Sequence, residues 1–244
     1  MDVVAYDTII LAGGRARRLD GISKPDVLLH GHRLLDYSLR ATTAARRRVV
    51  VGPPTLTVPP DVLHTQEHPA HGGPVAGIDV GLAMLDRHRR SADRPDLPVL
   101  VLACDIPHVA TALPRLLAAY QDPAIRPADG AFLVDPDGRA QWLAAVYRPE
   151  GLRRALAALA ADAGIRDASV RRLTAHLDLR PVPVEGAEGT DIDTWADHAR
   201  LDTLLTTAAL TTAVRTPVAA PAPAPGPIPA PAGGSADPRP TMIT

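Results

Sequence analysis

Apolar residues in this chain come in short blocks whose spacing switches repeatedly between strand-like and helix-like. Thr-Ile-Ile-Leu-Ala at 8–12 is a compact apolar run stopped by Gly13-Gly14, which predicts a buried strand with a sharp turn after it. Leu34, Leu35, Ser38 and Leu39 repeat at helical spacing and predict a helix over 34–45. Short strands are expected at 49–51 and 62–65. A helix is expected over 74–85, opened by Gly72-Gly73 with Pro74 at its first turn. Val-Leu-Val-Leu-Ala at 99–103 is apolar throughout and reads as a central strand covered on both faces. Beyond it the pattern predicts a helix at 113–120 and strands at 130–134 and 142–147 around the turn Asp135-Pro136-Asp137-Gly138. An Ala/Leu helix at 152–161, a short strand at 182–184 and a final helix at 195–205 complete the series.

Strands alternating with helices predict an α/β fold with a mostly parallel sheet and helices on both faces. Ligands of such sheets bind beyond the carboxyl ends of the strands. That rule selects Gly13-Gly14, Gly52, Glu67 and Cys104-Asp105 as rim positions. The folded domain is expected over 1–205. Residues 206–244 are dominated by Pro, Ala, Gly and Ser without helical or strand period, and are expected to form a disordered, polyproline-like tail.

Composition narrows the function. Hydrophobic residues make up 46% and charged residues 22% of 244, so a core can form without disulfides or structural metal. The net charge of −1 argues against a broad basic face for nucleic acid. No apolar run reaches the roughly 20 residues that span a bilayer, and the acidic start carries no basic leader pattern. The single cysteine, Cys104, suits a reducing compartment, and a cytoplasmic location is expected. Of 26 cationic Lys and Arg residues only Lys24 is lysine, so a compact ammonium at that position marks a specific requirement.

The candidate chemistry starts with Leu11-Ala12-Gly13-Gly14-Arg15-Ala16-Arg17-Arg18, followed by Ser23-Lys24-Pro25. Paired glycines after a buried strand turn backbone N–H groups toward an anion, as in a phosphate-binding nest. Arg15, Arg17 and Arg18 would screen a triphosphate, and Lys24 would reach a phosphoryl oxygen. The pattern is neither a P-loop nor a dinucleotide fingerprint. In Cys104-Asp105-Ile106-Pro107 an aspartate follows the central strand at the rim; alone it reads as a turn or cap residue, and paired with the first loop in one parallel sheet it reads as a carboxylate for Mg²⁺. Asp191-Ile192-Asp193-Thr194 puts two carboxylates on one side of an extended segment, able to complete a metal site, while Asp193 or Thr194 is also placed to cap the last helix. Glu67 precedes Gly72-Gly73-Pro74, a glycine-rich entry into a helix N-terminus that favours an anion or a close-lying base, or is a plain loop. His64, His68 and His71 lack metal-site spacing and read as surface residues. Cys104 reads as packing, and Arg46-Arg47-Arg48 as a solvated strand edge.

Taken together, Leu11-Ala12-Gly13-Gly14 with Arg18-Leu19 and Lys24-Pro25, Gly73-Pro74-Val75-Ala76-Gly77, Cys104-Asp105-Ile106-Pro107 and Asp191-Ile192-Asp193-Thr194 resemble the molybdenum cofactor guanylyltransferases over residues 5–205. The resemblance implies a Rossmann-like three-layer sandwich of the nucleotide-diphospho-sugar transferase type. It implies nucleotide contacts at Leu11, Ala12, Gly13, Gly14, Arg15, Lys24, Gly52, Glu67, Gly73 and Asp105. Lys24, Asp105 and Arg18 would be catalytic, and Mg²⁺ would be held by Asp105 with Asp193 or Asp191. Gln141 and the strand to Tyr147 would lie on the acceptor side. Ser23, Gly52, Glu67 and the Asp191–Trp195 segment depart from the family's usual residues.

The implied reaction is transfer of GMP from GTP to the terminal phosphate of molybdenum-loaded molybdopterin, with release of pyrophosphate. The implied partners are GTP or another nucleoside triphosphate, a molybdopterin-type acceptor, and transiently other cofactor-biosynthesis or acceptor proteins, with neither nucleic acid nor membrane. Two alternatives stand beside it: cytidylyl or other nucleotidyl transfer to a different phosphorylated acceptor, and a nucleotide-binding module without catalysis.

Overall fold

The structure, a computed structural model, describes residues 5–13, 23–89, 97–122, 128–162, 164–185, 188, 191–192 and 194–203. Gly14, Arg15, Arg17, Arg18, Asp193 and the tail expected over 206–244 lie outside the described residues. In chain order the strands are β1 (Asp7–Leu11), β2 (Leu28–Leu29), β3 (His32–Arg33), β4 (Arg47–Val51), β5 (Leu63–Thr65), β6 (Val99–Ala103), β7 (Gly130–Val134), β8 (Ala140–Tyr147) and β9 (Leu179–Pro183). The helices are α1 (Leu34–Ala41), α2 (Gly73–Arg87), α3 (Val109–Gln121), α4 (Pro149–Asp162), α5 (Val170–Thr174) and α6 over 195–203.

Seven strands form one sheet in the order β5-β4-β1-β6-β8-β7-β9. β1, β4, β5 and β6 run parallel, β8 is antiparallel to both β6 and β7, and β9 is parallel to β7. The mostly parallel sheet expected from the pattern is therefore present, with a single reversed strand produced by the turn after β7. A bulge between Phe132 and Leu133 interrupts the β7–β8 register.

Period-two alternation sorts the central strands onto two cores. Ile9, Leu11, Val49, Val51 and Val101 pack with Val75, Ile78 and Leu82 of α2 and with Leu152 and Leu156 of α4. Ile10 and Val50 face Leu35 and Leu39 of α1, and Leu100 and Leu102 face Leu113 and Leu116 of α3. Every residue of β1 is buried, as expected of a strand covered on both faces. Gly81 of α2 lies against Ile9, leaving no room for a side chain: a Cβ there would stand 2.7 Å from Ile9 Cγ2.

Several boundaries differ from the sequence expectation. The first helix ends at Ala41 rather than 45, because Thr42 turns its hydroxyl back onto the Ser38 carbonyl at 2.8 Å and the chain leaves in a turn. The helix expected from 113 begins at Val109, ahead of Pro114. Of the arginines at 46–48 only Arg46 is exposed, so the run is not a solvated edge throughout. Arg47 and Arg48 lie in β4, an interior strand, and pair with Asp7 and Asp61. The hairpin β2–β3 was not expected. It turns on His30 (φ 49°) and Gly31 (φ 75°), the two positive φ values that a tight two-residue hairpin requires.

Candidate active site

Four parallel strands end on one rim, and hydrogen bonds continue past the strand ends. The Ala12 N–H donates to the Val51 carbonyl at 2.8 Å, the Cys104 N–H to the Leu11 carbonyl at 3.1 Å, and the Gly52 N–H to the Thr65 carbonyl at 2.9 Å. Leu11–Gly13, Gly52 and Cys104-Asp105 are thereby brought together as the rim rule anticipated. Leu11 and Ala12 bury their side chains in the core, so their contribution to any ligand is backbone. The Leu11 carbonyl and the Ala12 N–H are already used within the sheet. Gly52 permits a close approach, since a Cβ would lie 3.0 Å from the Ala12 carbonyl oxygen.

Lys24 opens a single 3₁₀ turn, Lys24–Asp26, shaped by Pro25 at its start and closed by the Val27 N–H donating to the Lys24 carbonyl at 3.2 Å. Its ammonium lies 2.5 Å from Asp105 Oδ2. The two side chains are only 18% and 15% exposed, so water screens the pair poorly. Asp105 Oδ1 is buried and has no hydrogen-bond partner among the described residues. The cation and the carboxylate selected from sequence therefore meet in space.

The Asp191–Thr194 motif reaches the same place. The Ile192 N–H donates to the Asp105 carbonyl at 3.0 Å, and the Ile192 side chain is buried with Val27, Leu29, Leu34 and Leu201. Thr194 caps α6: its Oγ1 accepts from the Asp197 N–H at 3.2 Å, and the Asp197 carboxylate accepts from the Thr194 N–H at 2.9 Å. Asp191 is exposed beside Ile192. Two histidines that carried no sequence pattern hold α6 to the hairpin after Lys24. His198 Nε2 lies 2.7 Å from the Leu28 carbonyl oxygen, and His30 Nε2 lies 3.1 Å from that of Asp202. No local signal identifies them, because each partner is on a distant segment.

Glu67 accepts from the His71 N–H at 2.9 Å and so shapes the loop that enters α2. Gly73 begins α2 with φ +87°. The loop is anchored from behind by Asp167, whose N–H donates to the Gly72 carbonyl at 2.7 Å, and by Arg166 on the Pro69 carbonyl at 3.3 Å. His64 is not a free surface residue: its Nε2 lies 3.2 Å from the Gly52 carbonyl oxygen, whereas His68 and His71 are exposed. Gln141 donates to Asp135 at 3.3 Å near the β7–β8 turn.

Cys104 is buried among Ile10, Leu35 and Val50. Burial first, and the neighbouring Asp105 charge second, push its thiol up, so it stays protonated and serves packing. Burial also lowers His108, which favours its neutral form. Among the described residues no three His, Cys, Asp or Glu side chains form a metal-holding group, and no helix is long and apolar enough to cross a membrane.

A family model described as MobA-like NTP transferase domain matches residues 8–178. A molybdenum cofactor guanylyltransferase of Bradyrhizobium sp. (strain ORS 278) is 34% identical over 124 residues, 47% of this chain and 52% of that protein. The chain thus spans about half the length of the curated relative it matches. Among solved structures, molybdopterin-guanine dinucleotide biosynthesis protein A from Archaeoglobus fulgidus aligns with TM-score 0.60 and 21% identity over 82% of this chain and 99% of that one. A 2-C-methyl-D-erythritol 4-phosphate cytidylyltransferase from Thermus thermophilus aligns with TM-score 0.56 and 19% identity over 83% of this chain and 100% of that one. Both structural likenesses concern the fold.

Proposed function

Because the chain belongs to the MobA-like NTP transferase family, we propose that it transfers GMP from GTP to the terminal phosphate of a molybdenum-loaded molybdopterin, releasing pyrophosphate. The observation that carries the reading is the Lys24–Asp105 pair at 2.5 Å on the rim beyond β1 and β6. The activity named for the relative from Bradyrhizobium, and the fold match to the Archaeoglobus protein, support guanine and a molybdopterin acceptor.

The base lies against the strand ends at Leu11, Ala12, Gly13 and Gly52, with Glu67 and Gly73 of the next loop beside it. Gly14, Arg15, Arg18 and Lys24 meet the phosphates. The residues fit a divalent metal, which Asp105 with Asp193 or Asp191 would hold. Asp105 has a buried oxygen without a hydrogen-bond partner among the described residues, and Asp191 and Asp193 flank Ile192, which is bonded to Asp105. Bound Mg²⁺ would neutralise triphosphate charge.

The acceptor is a phosphate monoester with a second pKa of about 6, largely dianionic at neutral pH, and needs no general base. Its oxygen forms a bond to the α-phosphorus of GTP as the bond to the bridging oxygen breaks, and that electron pair leaves with pyrophosphate. The obstacle is repulsion between two anions. Lys24 and Arg18 lower it by meeting charge on the phosphoryl oxygens and holding the α-phosphorus in line.

The test is pyrophosphate release by the full chain with Mg²⁺, molybdenum-loaded molybdopterin and each of the four triphosphates. Release with GTP is expected. Release with CTP alone moves the reading to cytidylyl transfer, which the likeness to the Thermus enzyme and the departures at Ser23, Gly52 and Glu67 would favour. Tight nucleotide binding without release would mean a binding module.

A further inference from the structure

We propose that Lys24 is an internal counter-ion that makes divalent-metal binding and nucleotide binding at this rim depend on each other. This role rests on the nucleotidyl-transfer reading and specifies how its two ligands enter.

The geometry that supports it is local. Lys24 Nζ sits 2.5 Å from Asp105 Oδ2, while Asp105 Oδ1 is buried without a hydrogen-bond partner among the described residues. The carboxylate has little freedom to retreat. Its turn is tied to β1 by the Cys104 N–H on the Leu11 carbonyl, and to the C-terminal segment by the Ile192 N–H on its own carbonyl at 3.0 Å. Lys24, by contrast, ends a flexible four-carbon stem carried on one 3₁₀ turn, so the ammonium can swing while the backbone stays put.

Either ligand by itself meets an electrostatic penalty at this pair. A divalent cation arriving alone must displace an ammonium from Asp105, and among the described residues no cluster of three ligating side chains compensates. A triphosphate arriving alone must draw Lys24 off its carboxylate and leave that carboxylate bare beside the phosphates. When both arrive, Lys24 moves to phosphoryl oxygens and Asp105 is freed for the cation. Each ligand therefore removes the other's cost, and the coupling is reciprocal by linkage. The site takes up a metal–nucleoside triphosphate pair and resists either component by itself.

The test uses the full chain, its Lys24→Met and Asp105→Asn variants, and two probes. Mn²⁺ is titrated with and without GTP by electron paramagnetic resonance, and GTP is titrated in EDTA by calorimetry. In the wild type, GTP is expected to tighten Mn²⁺ by about tenfold or more. Lys24→Met is expected to bind Mn²⁺ without GTP about five- to tenfold more tightly than wild type. Asp105→Asn is expected to bind GTP in EDTA more tightly than wild type. Circular dichroism checks that each variant is folded, and the isosteric Asp105→Asn arm stands if Lys24→Met does not fold. The counter-ion role is overturned if wild type binds GTP, yet Lys24→Met gains no Mn²⁺ affinity or Asp105→Asn gains none for metal-free GTP. If the wild type binds no GTP with or without Mn²⁺, the transfer reading itself fails and takes this role with it.

Discussion

The backbone N–H of Ile192 donates to the carbonyl of Asp105 at 3.0 Å, so a segment near the end of the described chain is bonded directly to the acid on the rim. Ile192 is fully buried, and with Leu201 of α6 it completes a small core around Val27, Leu29 and Leu34, the residues that follow Lys24. One cluster therefore supports both members of the ion pair.

Leu201→Ala should cost about 2–5 kcal/mol of stability, as expected for a cavity in a tight apolar site. It should also lower kcat/KM although it touches no ligand. Urea unfolding and pyrophosphate release measure the two effects. Wild-type stability in the variant would show that α6 is not what secures the Lys24 segment.

Asp105→Ala should reduce turnover by about 10²–10³ while leaving the far-ultraviolet dichroism unchanged, because the side chain pairs with Lys24 at the rim and belongs to neither core. Near-normal nucleotidyl transfer would remove Asp105 from the chemistry.

Lys24→Arg keeps the charge but replaces a compact ammonium by a planar fork. The 2.5 Å approach to Asp105 leaves no slack for the change. A loss of about 10²-fold in kcat is expected from misplacement alone. Retained activity would show that any cation suffices, contrary to what the chain's single lysine suggests.

Two glycines separate a ligand effect from a packing effect. At Gly52 a Cβ would press on the Ala12 carbonyl, 3.0 Å away, so Gly52→Ala should raise the KM for the nucleotide several-fold. At Gly81 a Cβ would stand 2.7 Å from Ile9 Cγ2 in the core. Gly81→Ala should therefore cost about 1–3 kcal/mol of stability with KM unchanged. Thermal melts and steady-state kinetics on both variants check the contrast, and identical phenotypes would refute it.

His108 predicts a pH dependence. Burial lowers its pKa below the ordinary value of 6.5, so the unfolded chain binds the proton more readily than the fold does. Its contribution to stability is full above about 6.5 and is lost as pH falls from there through the lower folded value. His108→Gln should flatten that part of the Tm profile between neutral and mildly acidic pH. An unchanged profile would assign the slope to other groups.

The sequence alone determined the central strands and the identities of Lys24 and Asp105. These are local properties: apolar runs must be buried, and a lone lysine in an arginine-rich chain stands out. Boundaries set by side chain–backbone bonds, such as the end of α1 at Thr42, were not visible, because hydroxyl capping competes with helix propensity too finely to read from pattern. Only the tertiary structure decided that β8 inserts between β6 and β7, that His30 and His198 fasten α6 to the hairpin, and that Lys24 meets Asp105. Each of these depends on contacts between segments far apart in the chain, where chain closure and packing, and no local preference, choose the partner.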